Sequence, residues 1–308
     1  MIDESSLSRS SRDVYDAECV CLFILCHNNL HELRLCIRAI LSRTIHPFKI
    51  VIVDNSSSDP ELLHFLNEIR SNESIHVVYC SFNLWVLGFN KAIKIHFPSN
   101  SKYFVATDAD IIVPPVSFGR CWLGRLVSEM ESNINIGKLG ISLDLGYIKN
   151  RPSFHQTYLR ELEYLNGPRV GSNCVAPVDT TLAIYRSDFF MTSKPRFYPG
   201  HGLLGRPEYL ICRTDAKFCA KHIGWRSYKN SASLKKYMIS KLYCFALVGA
   251  YLDRPFLDQV HPFHSAVFRV IRPFARLVWA VNVVLIQISW FVRNFPFRLN
   301  RIQNSRRS

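Results

Sequence analysis

Several features that would each name a class of protein are missing from this chain. The ten cysteines (19, 21, 26, 36, 80, 121, 174, 212, 219 and 244) form no C-x-x-C set and have no histidine nearby at zinc spacing. Several lie inside apolar runs, which predicts buried free thiols in a reducing compartment, not a disulfide or zinc framework. The opening MIDESSLSRSSRDVYDAE is polar and has no apolar core, so no secretory signal is expected there and residues 1–16 read as a disordered leader. Nothing is repetitive or collagen-like. Acidic residues are absent from Gln259 to Ser308. These absences place the protein in the cytoplasm and exclude the small stapled folds.

What is present is a chain of 308 residues, 48% of them hydrophobic, enough for one large domain or two modest ones. The net charge of +14 is concentrated in the tail, where eight arginines follow from Arg269 onward. The rest is only mildly basic, so no nucleic-acid partner is expected. From Glu18 strand and helix signals alternate. CVCLFILC (19–26), FKIVIVD (48–54), IHVVYC (75–80) and KYFVATDAD (102–110) read as strands buried on both faces. LHELRLCIRAIL (30–41), PELLHFLNEIR (60–70) and GFNKAIKIHF (88–97) read as the helices between them. Such alternation predicts an α/β fold with a mainly parallel sheet and helices on both faces. Ligands bind beyond the carboxyl ends of such strands, so Asp54, Asp108 and Asp110 are expected at one crevice. Two carboxylates one residue apart on a strand share a side, and their repulsion calls for a cation. Mn²⁺ or Mg²⁺ suits them, because these ions bind through one or two carboxylates plus substrate phosphates.

The order of motifs resembles the family 2 glycosyltransferases of the GT-A (Rossmann-like) fold. FILCHNNLHELRLCIRAILSRTIHPFKIVIVDNSSSD (23–59) is similar to the family's opening, FNLWVLGFNKAI (82–93) to its Asn/Gly segment, and TDAD (107–110) to its D-x-D motif. VDTTLAIYRSDFF (178–190) resembles its acceptor-side strand. RTDAKFCAKHIGWRSY (213–228) resembles its E-D segment, with Thr214 in place of Glu. The likeness runs from about residue 19 to 230, which gives a donor half of about 17–115 and an acceptor half of about 116–232.

The resemblance implies an inverting transferase with a nucleotide-sugar donor on a UDP or dTDP carrier. Asp54 would meet the base, and Asn28, Asn83, Gly88 and Asn90 would line the donor site. Asp108 would reach the ribose or a metal-bound water, and Asp110 would ligate the metal. Asp215 would be the general base, placed at the start of a helix, with Asp179 as its rival or a sugar contact. His222, seven residues on, is expected on the same helix face as Asp215, as a third metal ligand, an acceptor contact or a packing residue. A nucleotidyltransferase stays open as an alternative, although CHNNLHE is not the Gly-rich phosphate loop it would need; so does a non-catalytic scaffold. Beyond residue 232 the chain reads as helical and basic. Sixteen residues from Leu277 to Val292 carry no charge, with Trp279 and Trp290 near their ends and arginines before them. That predicts a helix lying on the inner face of the cell membrane through 265–295, and hence a lipid-linked glycan acceptor.

Overall fold

The computed structural model describes residues 19–98, 100–179, 181–198, 201–226, 231–252 and 254–305, so the expected leader lies outside the described residues. The chain divides into two compact units. One runs to Phe189 and resumes over Pro207–Lys229; the other comprises Phe190–Arg206 and everything from Asn230.

In the first unit, β1 (Val20–Cys26), β2 (Phe48–Asp54), β3 (Ile75–Tyr79) and β4 (Tyr103–Asp108) pair in parallel in the order β3-β2-β1-β4. Between them run α1 (Leu30–Arg43), α2 (Pro60–Ile69) and α3 (Phe89–His96). Helix α2 starts as its sequence dictates: Asp59 accepts from Glu61 N, and Pro60 takes the first turn. After β4 come β5 (Ile111–Ile112), α4 (Trp122–Ser132), β6 (Ile136–Gly140), β7 (Ser142–Leu143) and α5 (His155–Tyr164). They are followed by β8 (Arg169–Val170), β9 (Asn173–Val175), β10 (Leu182–Arg186), β11 (Leu210–Arg213) and β12 (Cys219–His222). The large sheet continues past β4 as β10-β6-β11-β9-β8, with β10 antiparallel to both neighbours; β5-β12-β7 form a small second sheet.

Period-two alternation divides the strand residues between two layers. Leu22, Ile24, Ile50, Ile52 and Val105 pack with the buried residues of α1, α2 and α4 in one core. On the other face Phe104 stacks on Tyr185 with centroids 4.9 Å apart, and Phe97, just past α3, meets Phe104 edge-on. Helices therefore cover both faces, as expected. All ten cysteines are free, and all but the half-buried Cys219 are buried.

Two expectations need correction. The fourth strand stops at Asp108, so Asp110 lies in the turn before β5 and the two acids do not share a strand. The segment after Asp215 is not a helix, and His222 is not on a helical face with Asp215: residues 214–218 turn tightly into β12, and a short 3₁₀ turn, Ile223–Arg226, follows. Thr214 is the physical reason. Its buried hydroxyl accepts from Ser142 N at 3.0 Å and donates to Phe218 O at 2.8 Å, closing the turn against β7 where a helix ladder would have formed.

The second unit contains α6 (Ser231–Leu247), α7 (Arg254–Asp258) and α8 (Pro262–Ser305), packed around Met238, Leu242, Ala246, Leu252, Val260 and Phe268. Three polar side chains of helix α8 bond to other parts of its unit: Arg272 Nε donates to Ala250 O at 2.8 Å, Trp279 Nε1 to Leu247 O at 3.1 Å, and Gln287 Nε2 to Leu203 O at 3.1 Å. Phe274, Leu277, Val281, Val284, Leu285 and Ile288 face outward. The stretch Pro262–Asn294 contains 18 consecutive residues with a mean hydropathy of 1.7 and is long and apolar enough to cross a membrane.

Candidate active site

Strand order reverses between β1 and β4, because the chain first steps outward to β2 and β3 and then returns to the other side of β1. A crevice opens at the carboxyl ends at such a point. The loops there hold three non-glycine residues with left-handed backbone: Asn28 (φ 52°), Ser56 (φ 64°) and Trp85 (φ 51°). Strain of this kind persists where surrounding bonds over-determine it. Asn28 Oδ1 accepts from Ser58 N and Asp59 N at 2.8 and 3.0 Å, tying the β1 loop to the β2 loop. Asn83 Oδ1 accepts from Trp85 N at 3.1 Å. Both amide oxygens shape the loops at this end of the sheet. Asp54 is buried at the end of β2 and caps Ser57 N, and Asn90 is half-buried in the first turn of α3.

Asn55, which motif reading passed over, holds this loop layer together. Its Oδ1 accepts from Leu84 N at 2.8 Å and its Nδ2 donates to Trp85 O at 3.2 Å. Gly88 passes so close that a Cβ there would lie 3.0 Å from Asn55 Oδ1 and 3.3 Å from Leu25 Cδ1. A side chain there would crowd this approach, while the backbone itself is ordinary helical and does not call for glycine.

Past β4, the small sheet delivers His222 to Asp110. Ile111 pairs with His222, and Ile223 N donates to Asp110 O at 2.9 Å. His222 Nδ1 then lies 3.6 Å from Asp110 Oδ2, with its ring stacked on Trp225 at 4.6 Å. A Cβ at Gly224 would fall 1.9 Å from Asp110 Oδ2, so only glycine fits. Asp110 Oδ1 and His222 Nδ1 are buried without a hydrogen-bond partner. Burial, followed by the charges of Asp110 and Asp179, pushes the Asp108 carboxyl well above the usual carboxylate range. Burial also raises that of Asp110, against the pull of His222. The fold thus crowds acids together and leaves a carboxylate oxygen and a ring nitrogen unsatisfied, which fits a divalent cation. Among the described residues, no three His, Cys, Asp or Glu side chains converge as a complete metal cluster, so a bound ion would need ligands from a substrate as well.

The two acceptor-side acids differ. Asp215 sits in the turn between β11 and β12; its Oδ2 takes Arg125 Nη2 at 3.0 Å and its Oδ1 takes Lys217 N at 2.8 Å. Asp179 precedes β10, and its charge reaches Asp108.

The family model described as glycosyl transferase family 2 matches residues 21–190, from β1 past the end of β10. The chain belongs to that family. A Haemophilus influenzae protein described as an uncharacterized glycosyltransferase is 27% identical over 110 residues, which are 35% of this chain and 32% of that protein. The chain thus spans about a third of the length of that curated relative. Among solved structures, the mannosyltransferase PcManGT from Pyrobaculum calidifontis, in complex with GDP-Man and Mn²⁺, is 14% identical. Its TM-score is 0.46, over 91% of this chain and 82% of that one. GalNAc-T7 with UDP, GalNAc and Mn²⁺ is also 14% identical, with a TM-score of 0.49 over 80% of this chain and 52% of that one.

As a family 2 glycosyltransferase, the chain departs from expectation mainly in what surrounds its acids. Asp108 closes β4 as read from the sequence, and Asp110 lies in the turn beyond it. His222 meets Asp110 because β12 pairs with β5, a register that no motif spacing shows. Lys138, 0% exposed on β6, and Arg213, 6% exposed on β11, were not singled out by sequence reading. A lysine between glycine and leucine in IGKLG is the one visible signal for the former.

Proposed function

We propose that this family 2 glycosyltransferase moves a sugar from a UDP- or dTDP-linked donor to a hydroxyl of a glycan, with inversion, using Mn²⁺ or Mg²⁺. The observation that carries this reading is the pair of buried, unpartnered atoms Asp110 Oδ1 and His222 Nδ1 beside Asp108 at the end of β4. Asp110 and His222 would hold the ion, and Asp108 would orient the ribose or an ion-bound water. The ion, when bound, neutralises the departing diphosphate. Asp54 supplies an acceptor for the base, and the loop layer pinned by Asn55 lets the backbone approach the donor. An inverting transfer needs a base on the acceptor side to take the hydroxyl proton. We give that role to Asp215 in the turn between β11 and β12, with Asp179 before β10 as its rival.

The test is release of free nucleoside diphosphate across a panel of nucleotide sugars, with Mn²⁺ and with chelator. At least one donor should be consumed, and chelation should stop it. A nucleotidyltransferase would instead release pyrophosphate from nucleoside triphosphates, and a scaffold would consume nothing.

The outward apolar face of α8, with Arg269, Arg276 and Arg293 exposed beside it and no acid in the segment, supports the inner membrane surface as a partner and a lipid-linked acceptor. Its polar bonds to Ala250, Leu247 and Leu203 hold it along other parts of the second unit, which favours lying in the interface over crossing it. Flotation with anionic vesicles checks this. Alkaline carbonate should release an interfacial protein and leave a spanning one bound.

A further inference from the structure

Asp215 is held at both of its oxygens. Oδ1 accepts from Lys217 N at 2.8 Å, inside its own turn, and Oδ2 accepts from Arg125 Nη2 at 3.0 Å, which arrives from α4 across 90 residues. Each bond takes one acceptor position on its oxygen, and a carboxylate oxygen has a second one left for a substrate hydroxyl.

The arginine is itself braced. Its Cζ lies 4.1 Å from the centre of the Phe218 ring, the stacked placement that a planar guanidinium favours. The ring is a firm support. Phe218 is 9% exposed, its carbonyl accepts from the Thr214 hydroxyl at 2.8 Å, and its N–H donates to Asp215 O at 3.1 Å. One tight turn therefore carries both the acid and the plate on which the arginine rests. Helix α4 is anchored in its turn, with Trp122, Leu123 and Leu126 on either side of Arg125 buried in the core. Stability does not account for this arrangement. With side chains 35% and 24% exposed, the ion pair adds at most about 1 kcal/mol after solvent screening. Its effect is geometric: without Arg125, the Asp215 side chain keeps only a bond to an amide two residues away. We propose that Arg125, braced on Phe218, is a positioning residue that holds the Asp215 carboxylate in one rotamer and so keeps it placed to take the acceptor proton. This rests on the transferase reading above, in which Asp215 is the base.

The test uses full-length Arg125→Met, Asp215→Asn and the double variant. Methionine keeps an unbranched stem over the ring and removes the charge. Arg125→Met should keep its UDP–Mn²⁺ affinity and donor KM within about threefold, while kcat for donor consumption falls at least about tenfold, as a displaced reacting group implies. The double variant should be no slower than Asp215→Asn alone, because residues that act as one unit are not additive. A kcat near wild type, a loss that sits in donor KM, or losses that multiply overturn the proposal. A second measurement stands apart from turnover. In amide hydrogen exchange, the Lys217 N–H should exchange at least about fivefold faster in Arg125→Met, with the amides of β6 and β11 unchanged. Unchanged exchange at Lys217 overturns the positioning whatever the donor assay gives, and so does faster exchange that spreads through both strands. If wild type consumes no donor but Lys217 alone exchanges faster, the transferase reading has failed and the positioning has not.

Discussion

The two halves of the large sheet carry their acids in different ways. In the parallel half, β2 and β4 simply stop at an acid: an apolar run ends, and Asp54 or Asp108 stands at the carboxyl end. In the mixed half, Asp179 and Asp215 lie in loops held by side chains distant in sequence. Arg125 reaches Asp215 across 90 residues, and Ser142 reaches Thr214 across 72. The lesson is about where geometry is encoded. Strand-end acids are placed by local pattern and topology, whereas loop acids are placed by particular long-range bonds. The first kind should tolerate changes around it, and the second should not.

The largest expected effect is at Asp110, just past the end of β4. Asp110→Ala should lower transfer at least about a thousandfold, on the scale of losing a preorganised electrostatic partner at the reacting centre. Its melting temperature should hardly change, because the carboxylate lies beyond the strand and burial already disfavours its charge. A large loss of stability would show that the acid belongs to the core.

Next, Asp215→Asn should slow transfer at least about a hundredfold with donor binding intact. Asp179→Asn should stay within about tenfold of wild type, and the loss in Asp215→Asn should exceed what its partly exposed ion pair with Arg125 explains, at most about 1 kcal/mol after solvent screening. Steady-state kinetics on the donor found by the panel decides between them. The reverse pattern would move the base to Asp179.

The sequence showed the parallel half almost completely. The strands at 19–26, 48–54 and 75–80, the helices between them and the Asp59 cap all lie where periodicity and capping chemistry put them. It failed at 213–224 for a physical reason. AKFCAKHIG has helix-like composition, but Thr214 hydrogen-bonds the backbone locally, and pairing with β5 and β7 extends the chain. The meeting of Asp110 with His222, and the grip of Lys138 Nζ on Val178 O at 2.6 Å, depend on registers that appear only once β12 and β6 are in place.

Smaller effects sharpen the same contrast. Thr214→Val should cost about 1–3 kcal/mol by leaving Ser142 N and Phe218 O without that hydroxyl, read as a lower denaturant midpoint. Smallest is the pH dependence of stability contributed by Lys138. Its folded pKa lies below its unfolded one, so between about pH 7 and the ordinary lysine range the unfolded chain binds the extra proton, and stability rises with pH. Lys138→Met should flatten that rise in urea titrations taken across the window.

The central claim is that Asp110, with His222, binds a donor diphosphate through a divalent ion. Calorimetric titration of UDP, with and without Mn²⁺, into wild type and Asp110→Ala tests it most directly. Wild type should bind UDP at least about tenfold more tightly with Mn²⁺, a difference of about 1.4 kcal/mol, and the variant should show no such gain. An equal gain in both proteins would contradict the account.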